Sequence, residues 1–144
     1  MILPDVNVLI YAFRADSPKH AICKPWLDDV VGGDAHFGLS PLTLSAVVRI
    51  VTNARAFRVP SALEESFGFC EDLLGQPNCE IVMPGEQHWT IFKRLCLESG
   101  TRGARTTDAW FAALALEHAC TWVTFDRDYA RFPDLKWQEP GADR

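Results

Sequence analysis

The sequence lacks the patterns that identify several large enzyme classes. It has no Gly-rich phosphate loop and neither a GxSxG nor an HExxH pattern. Its four histidines and five cysteines are scattered, without a CxxC pair or another zinc-ligand spacing. These absences argue against nucleotide-driven enzymes, serine hydrolases, zinc proteins and disulfide-framework domains.

Long apolar runs and an excess of basic residues are also missing. No stretch reaches the roughly 18 apolar residues that indicate a membrane span, and no basic segment precedes a hydrophobic one at the start. Lys and Arg number 14 against 19 Asp and Glu, which gives a net charge of −5. We therefore expect a cytoplasmic protein without membrane contact. Any nucleic-acid binding would depend on locally clustered cations, because the overall charge is negative.

The chain does contain enough apolar residues to build a packed core. Hydrophobic residues make up 48% of its 144 residues. That length is usual for one domain, and no linker or internal repeat divides it. We predict a single domain over 1–144, with 139–144 as a loose tail.

Strand patterns and helix patterns alternate along the chain. Short strands are predicted up to Asp5 and over 80–83, 121–125 and 135–138. Helices are predicted after Asp5, from Ser17, from Ser40, from a capping box at 61–64, from the turn at 84–85 to Gly100, and from Thr107. This alternation favours an α/β fold with a mostly parallel sheet.

Three aspartates stand at junctions between these elements. Asp5 follows the first strand, Asp126 follows the strand 121–125, and Asp108 opens the helix from Thr107. In an open parallel sheet, strand C-terminal ends and the helix N-termini after them lie along one edge. Carboxylates crowded there repel each other unless a cation neutralises them. The pattern therefore predicts a divalent metal ion held by oxygen ligands.

Each aspartate also has a purely structural interpretation. Asp5 and Asp126 could be turn or capping residues. Asp108 could be a first-turn residue favoured by the helix dipole. However, Asp108 extends the apolar stripe of its helix through Phe111 and Ala115, and a dipole partner does not need that inward direction. We therefore favour a functional role for Asp108.

Three polar neighbours complete the predicted site. Thr124 lies on the same side of its strand as Asp126, because side chains alternate along a strand. Asn7 follows Asp5 by two residues and is assigned a supporting role with Thr124. Asp128 offers a reserve carboxylate, although Arg127 and Arg131 could make it an ordinary surface ion-pair partner.

Four blocks of the sequence together resemble one family. They are DVNVLIYA, SPLTLSAVVRIVTNARAF, TTDAWFAALALEHACTWVTFDRDYARF and LKWQEP. In this order they look like the PIN-domain ribonucleases that serve as VapC toxins of bacterial toxin–antitoxin pairs. The resemblance implies a three-layer α/β/α sandwich around a central, mostly parallel sheet of four or five strands. It also implies a Mg²⁺- or Mn²⁺-dependent endoribonuclease that forms a homodimer and is inhibited by a VapB-type antitoxin.

The resemblance assigns roles to the three aspartates and shows one departure. Asp5 matches the first acidic ligand of the family, Asp108 the acid that opens the late helix, and Asp126 the acid after the strand. Many PIN domains place a glutamate in the helix after the SPLT-like segment, whereas 44–48 contains no carboxylate. The expected metal centre is therefore poorer in acidic ligands, which puts a two-metal mechanism in doubt.

Arg49, Arg102 and Arg105 are the main candidates for contact with the RNA backbone, and Arg102 and Arg105 are favoured because they flank the site. Arg127 and Arg131 beyond Asp126 are further candidates. A solvated or structural ion pair is the alternative for each. Single-stranded or loop RNA is the expected substrate, because unstacked bases are accessible to proteins. Two other functions stay open: a catalytically weakened PIN-like module that binds RNA or the antitoxin, and another phosphohydrolase with acidic residues at the sheet edge.

Overall fold

The computed structural model describes residues 1–142. In them, pairs of α-helices, six helices in all, connect the first four of five short strands. The strands are β1 (Ile2–Pro4), β2 (Phe37–Leu39), β3 (Cys79–Ile81), β4 (Thr121–Val123) and β5 (Trp137–Gln138). The helices are α1 (Val6–Phe13), α2 (His20–Gly32), α3 (Pro41–Val51), α4 (Leu63–Leu74), α5 (His88–Ser99) and α6 (Thr106–Glu117). Single 3₁₀ turns occur at Gly103–Arg105 and Arg127–Arg131.

The strands form one parallel sheet in the order β3-β2-β1-β4-β5. The chain builds outward from β1 through β2 to β3, and then returns to the other side of β1 for β4 and β5. Ile2 therefore pairs with Phe37 on one side and Thr121 on the other. Ligand crevices form where the strand order reverses in this way, at the C-terminal ends of β1 and β4.

Apolar layers cover both faces of the sheet. One layer packs residues of α1, α2, α3 and α4, including Leu9 and Val47, against Val123. The other packs α5 and α6, including Leu95 and Leu114, against Trp122. The neighbouring residues Trp122 and Val123 enter opposite layers because side chains alternate along a strand. The predicted three-layer α/β/α sandwich with a parallel sheet is confirmed.

Two helix ends follow the local signals in the sequence. Ser40 caps α3, its hydroxyl oxygen accepting the N–H of Leu42 at 3.2 Å, and Pro41 occupies the first helical position. Gly100 ends α5 with φ of 68°, a left-handed conformation that favours glycine. These boundaries depend on residues within one helical turn, so they are predictable from short segments.

Two predicted helix starts are wrong because the polar side chains bond elsewhere. The capping box at 61–64 does not form: α4 begins at Leu63 without a side-chain cap, and the Ser61 hydroxyl accepts a hydrogen bond from Arg14 at 2.9 Å. The helix predicted from Ser17 begins at His20 instead. The Ser17 hydroxyl donates to the Tyr11 carbonyl at 3.1 Å, so it serves the preceding turn.

The strands differ from prediction in length and in number. The predicted strands 80–83, 121–125 and 135–138 are each shorter, and the sequence pattern does not predict β2 at all. Gly38 in the middle of β2 weakens any local strand signal. The fold nevertheless requires a glycine here, because a Cβ atom at Gly38 would lie 2.6 Å from Cγ2 of Val82.

The end of the chain is anchored as far as it is described. Pro140 is buried, and the N–H of Ala142 donates to the carbonyl of Glu139 at 3.1 Å. The predicted loose tail thus packs over 139–142, while 143 and 144 lie outside the described residues. Among residues 1–142, no helix has the length and apolarity needed to cross a membrane.

Candidate active site

A cavity of about 490 Å³ opens at the C-terminal ends of β1 and β4. All three predicted aspartates, Asp5, Asp108 and Asp126, line it. The remaining wall is largely apolar and aromatic, and includes Ile10, Tyr11, Ile50, Phe57, Phe111 and Tyr129. The fold therefore brings Asp5 together with two carboxylates that are more than 100 residues away in the sequence.

Asp5 is the most deeply placed of the three carboxylates, with 7% of its surface exposed. Its Oδ1 atom accepts the N–H of Val6 at 2.6 Å and so caps α1. Its Oδ2 atom accepts the Thr124 hydroxyl at 2.7 Å and the Asn7 amide at 3.3 Å. The capping interpretation and the functional interpretation of Asp5 are thus compatible, because Oδ1 caps α1 while Oδ2 bonds Thr124 and Asn7.

Burial raises the pKa of Asp5 from 3.8 to about 6. This value includes the opposite effect of hydrogen bonds from Thr124 and Val6 and a smaller upward effect of the nearby carboxylates of Asp108 and Asp126. An ionised Asp5 therefore stands in a desolvated, negatively charged environment. A bound cation would stabilise this ionised form.

Thr124 and Asn7 connect the ends of β1 and β4. Thr124 is fully buried, and its hydroxyl oxygen also accepts the N–H of Asp126 at 3.0 Å and the Asn7 amide at 3.3 Å. The side-chain oxygen Oδ1 of Asn7 accepts the N–H of Phe125 at 3.4 Å. The two supporting residues named from the sequence therefore join Asp5 to the segment that carries Asp126.

Asp108 lies in the first turn of α6, with its side chain 27% exposed. Arg131 donates through Nη2 to Asp108 Oδ2 at 3.0 Å, and the Tyr129 hydroxyl approaches Oδ1 at 3.5 Å. Burial, together with the carboxylates of the site, raises the pKa of Tyr129 far above its ordinary value. Tyr129 therefore stays a neutral donor beside Asp108.

Asp126 combines a turn role with its place in the cavity. Its Oδ1 accepts the N–H of Asp128 at 2.9 Å and caps the 3₁₀ turn Arg127–Arg131. Asp128, the reserve carboxylate, is exposed and forms an ion pair with Arg105. It is outside the set of side chains that line the cavity.

The three predicted RNA-contacting arginines have different surroundings. Arg49 is exposed and lines the cavity from α3. Arg105 is exposed but held by Asp128, and Arg102 is exposed at the start of the 3₁₀ turn Gly103–Arg105. Arg49 thus shares the cavity lining with the three aspartates, whereas Arg102 and Arg105 lie outside it.

Sequence reasoning did not anticipate that Arg131 and Tyr129 contact Asp108. The segment TFDRDYARF places Asp126, Tyr129 and Arg131 close together in the sequence, and the 3₁₀ turn carries the latter two back towards α6. The spacing of Tyr129 and Arg131 after Asp126 could have suggested that their side chains point in a common direction. It could not have identified Asp108 as the partner, because that contact is tertiary.

The donor set suits a divalent ion with few protein ligands. Among residues 1–142, no three His, Cys, Asp or Glu side chains stand close enough to ligate one ion together. Mg²⁺ commonly keeps several waters and needs only one or two protein carboxylates plus a substrate phosphate. Asp5 and Asp108 fit that pattern. From α3 the cavity receives Ala46, Arg49 and Ile50 and no carboxylate.

Comparisons with known proteins show similarity to PIN-domain proteins along nearly the whole chain. The PIN domain family matches residues 2–135. Ribonuclease VapC25 of Mycobacterium tuberculosis is 37% identical over 97% of this chain and 99% of the relative. Ribonuclease VapC43 of the same species is 38% identical over 97% and 95%. The crystal structure of VapBC2 from Rickettsia felis bound to a promoter DNA fragment has a TM-score of 0.70 at 18% identity, over 96% of this chain and 98% of that one, which supports the fold.

Proposed function

This chain belongs to the PIN-domain family, and we propose that it is an endoribonuclease of the VapC type, the toxin of a toxin–antitoxin pair. The observation that carries the proposal is the convergence of Asp5, Asp108 and Asp126 on one cavity at the point where the strand order reverses. The reaction is hydrolysis of RNA phosphodiester bonds with a carboxylate-bound Mg²⁺ or Mn²⁺ ion. Curated relatives named as ribonucleases support this activity.

In the proposed mechanism the protein supplies placement and charge. Asp5 and Asp108 would hold the divalent ion directly or through water. When bound, the ion would supply positive charge to the scissile phosphate and lower the pKa of water. Asp126 would orient the attacking water or a water bound to the ion. Thr124 and Asn7 hold Oδ2 of Asp5 through hydrogen bonds, so that this carboxylate is fixed before RNA binds.

RNA phosphates are bound by arginines around the cavity. Arg49 is the best-placed candidate, because it is exposed and shares the cavity with the three aspartates. Arg102 and Arg105 bind the backbone further out, and Arg105 exchanges its partner Asp128 for a phosphate. We propose a single-stranded or loop substrate, because its unstacked bases can approach the aromatic wall of the cavity.

Two protein partners complete the proposal. One is a VapB-type antitoxin, which the VapC names of the relatives support. The other is a second copy of this chain. An apolar groove between α3, α4 and β3 includes Leu44, the half-exposed Phe67 and the exposed Ile81, and we assign it to the homodimer.

Replacement of Asp5 or Asp108 by Asn tests the assignment of the ligands. Each variant should lose at least about a hundredfold in RNA cleavage, since removal of one group that stabilises the transition-state charge typically costs that much. Cleavage of RNA should be followed with Mg²⁺, with Mn²⁺ and with EDTA. Asp134→Asn is the matched control, because Asp134 is exposed and pairs with Arg94 outside the cavity. A fully active double variant would reject the assignment.

A second candidate function is a PIN-like module that binds RNA or the antitoxin without efficient cleavage. The absence of a carboxylate on the cavity face of α3 favours it. RNA binding without metal-dependent cleavage in the same assay would support the module. Hydrolysis of a phosphate monoester without RNA cleavage would instead indicate another phosphohydrolase with acidic residues at the sheet edge.

A further inference from the structure

Each of the three guanidinium nitrogens of Arg131 donates a hydrogen bond within the protein. Its Nη1 donates to the backbone carbonyl of Asp128 at 2.8 Å and its Nε donates to the Thr101 hydroxyl at 3.3 Å, while Nη2 donates to Asp108. The guanidinium carbon lies 4.5 Å from the centre of the Phe132 ring. Every nitrogen of the group thus has a protein acceptor. This arrangement is that of a fixed cation, and it differs from the free arginine expected of a phosphate contact.

This contact orients the carboxylate of Asp108. Oδ2 accepts the charge-assisted hydrogen bond from Arg131 at 3.0 Å, whereas Oδ1 receives only the longer contact from the Tyr129 hydroxyl at 3.5 Å. Oδ1 is therefore the less engaged oxygen of a carboxylate that lines the cavity. An anchored carboxylate with one less engaged oxygen suits a single bond to an ion.

The charges of the site also favour a single ion. Asp5, Asp108 and Asp126 carry three negative charges when ionised, and the directly bonded Arg131 reduces the total to two. One divalent ion balances that total. The α3 wall adds no carboxylate to attract another ion. Arg49 is exposed to water, which screens its charge, and an incoming RNA phosphate would offset it.

We propose that Arg131 is a positioning residue that fixes Asp108 and acts as a built-in counter-charge, so that the site binds one divalent ion per chain. Arg131 thereby supplies positive charge that a second ion would otherwise bring. The proposal rests on the proposed function only in that the carboxylates bind a divalent ion. The role differs from binding RNA, because each nitrogen of Arg131 already donates to a protein acceptor and its side chain is mostly buried.

Calorimetric titration with Mn²⁺ at pH 8, combined with RNA cleavage kinetics, tests the proposal. The wild-type protein should bind one Mn²⁺ per chain. Arg131→Gln removes a cation next to the ion, so it should bind Mn²⁺ at least about fivefold more tightly. Its kcat should nevertheless fall at least about tenfold at saturating Mn²⁺, because Asp108 loses its anchor. The KM for RNA should stay within about twofold.

Two further variants control for charge and for general damage to the fold. Arg131→Lys keeps the charge but loses the planar fork, so its Mn²⁺ affinity should stay within about twofold of wild type while kcat falls. Arg94→Gln removes an arginine that pairs with Glu98 and Asp134 at the surface, and it should change neither quantity. If Arg131→Gln does not fold, Arg131→Lys still tests the proposal, because a change of more than threefold in its Mn²⁺ affinity contradicts it.

Three results would overturn the proposal. Binding of two Mn²⁺ ions per chain by the wild-type protein would contradict a site for a single ion. Weaker Mn²⁺ binding by folded Arg131→Gln would show that Arg131 only supports the local structure. A raised KM for RNA with unchanged Mn²⁺ affinity would make it an RNA contact. A wild-type protein that binds Mn²⁺ but cuts no RNA would instead reject the ribonuclease function and leave the calorimetric comparison valid.

Discussion

At the scale of single residues, the site depends on side chains that have more than one partner. Asp5 caps α1 with one oxygen and lines the cavity while its other oxygen bonds Thr124 and Asn7. Asp126 caps a 3₁₀ turn and also lines the cavity. Structural and functional roles therefore coincide in the same residue, and a substitution changes both.

The pKa of Asp5 predicts a pH-dependent cost to stability. Because the folded-state pKa of about 6 lies above the ordinary 3.8, protonation favours the folded state. That stabilisation is complete below about pH 4 and is lost as the pH rises through about 6. Asp5→Asn lacks this titration. The free energy of unfolding of Asp5→Asn, relative to that of the wild type, should therefore rise by up to about 3 kcal/mol between pH 4 and pH 8.

Urea unfolding of both proteins in EDTA across this pH range measures the difference. Parallel curves for the two proteins would contradict the pKa of Asp5. In the wild type, RNA cleavage at subsaturating Mg²⁺ should decline below about pH 6, since protons then compete with the cation for Asp5.

Thr124 should set the position of that decline. Thr124→Val removes the hydroxyl that donates to Asp5 and leaves the buried carboxylate less stabilised. We expect the pH at which cleavage is half-maximal to shift upward, with a loss of about 1–3 kcal/mol of folding stability at pH 8. Thr124→Ser keeps the hydroxyl and is the control. An unchanged pH profile in Thr124→Val, with activity retained, would show that this hydrogen bond does not hold Asp5 in its ionised form.

At the scale of secondary-structure elements, Glu117 fixes the loop before α5 to the end of α6. Its carboxylate accepts the N–H groups of Gly85 at 2.7 Å and Gln87 at 2.9 Å. Burial pushes the pKa of Glu117 upward, but these donors, with His118 and His88, hold it below its ordinary 4.5. A Cβ atom on Gly85 would lie 2.7 Å from Oε2 of Glu117, so a larger residue there would require this carboxylate to shift.

Glu117→Gln should destabilise the protein by about 1–3 kcal/mol, because Gly85 and Gln87 donate to different oxygens and an amide keeps only one of them, so its NH₂ group faces the other N–H. Thermal or urea unfolding at pH 7 measures the change. Glu98→Gln is the control: Glu98 is exposed and pairs with Arg94 on α5, so we expect a change below about 0.5 kcal/mol. Equal effects of the two substitutions would argue against a special role for the Glu117 clamp.

At the scale of the whole molecule, the reversal of strand order beside β1 assembles the site. The chain places α1 to α4 on one face before it returns to β4, and α5 and α6 cover the other face. Asp5 and Asp126 therefore arrive from adjacent strands, while Asp108 arrives from α6. The groove beside β3 lies at the opposite side of the sheet order from β5.

Phe67→Glu tests the homodimer at this scale. A charge on the half-exposed Phe67 should prevent apolar contact across the groove, so the particle mass should fall from twice the 16.1 kDa chain to a single chain. Light scattering after gel filtration measures the mass. Leu97→Glu, on the exposed surface of α5, should leave the dimer intact. A monomeric wild type, or a Phe67→Glu variant that stays dimeric, would contradict this interface.

Several elements were predictable because their signals are local. The cap at Ser40, the end of α5 at Gly100 and the strand-to-helix change at Asp5 each depend on a few neighbouring residues. The capping box at 61–64 failed because Arg14, 47 residues earlier, competes for the Ser61 hydroxyl. The β2 strand was missed because its glycine is required by contact with Val82 rather than by a local turn.

The sequence by itself determined the α/β alternation, the family blocks and the three aspartates at element junctions, because periodicity and capping act over short distances. Only the tertiary structure decided which oxygens stay available. It pairs Arg131 with Asp108 and Arg105 with Asp128, and it directs Ala46 and Arg49 into the cavity. Such pairings depend on the packing of distant segments, so residue spacing alone does not specify them.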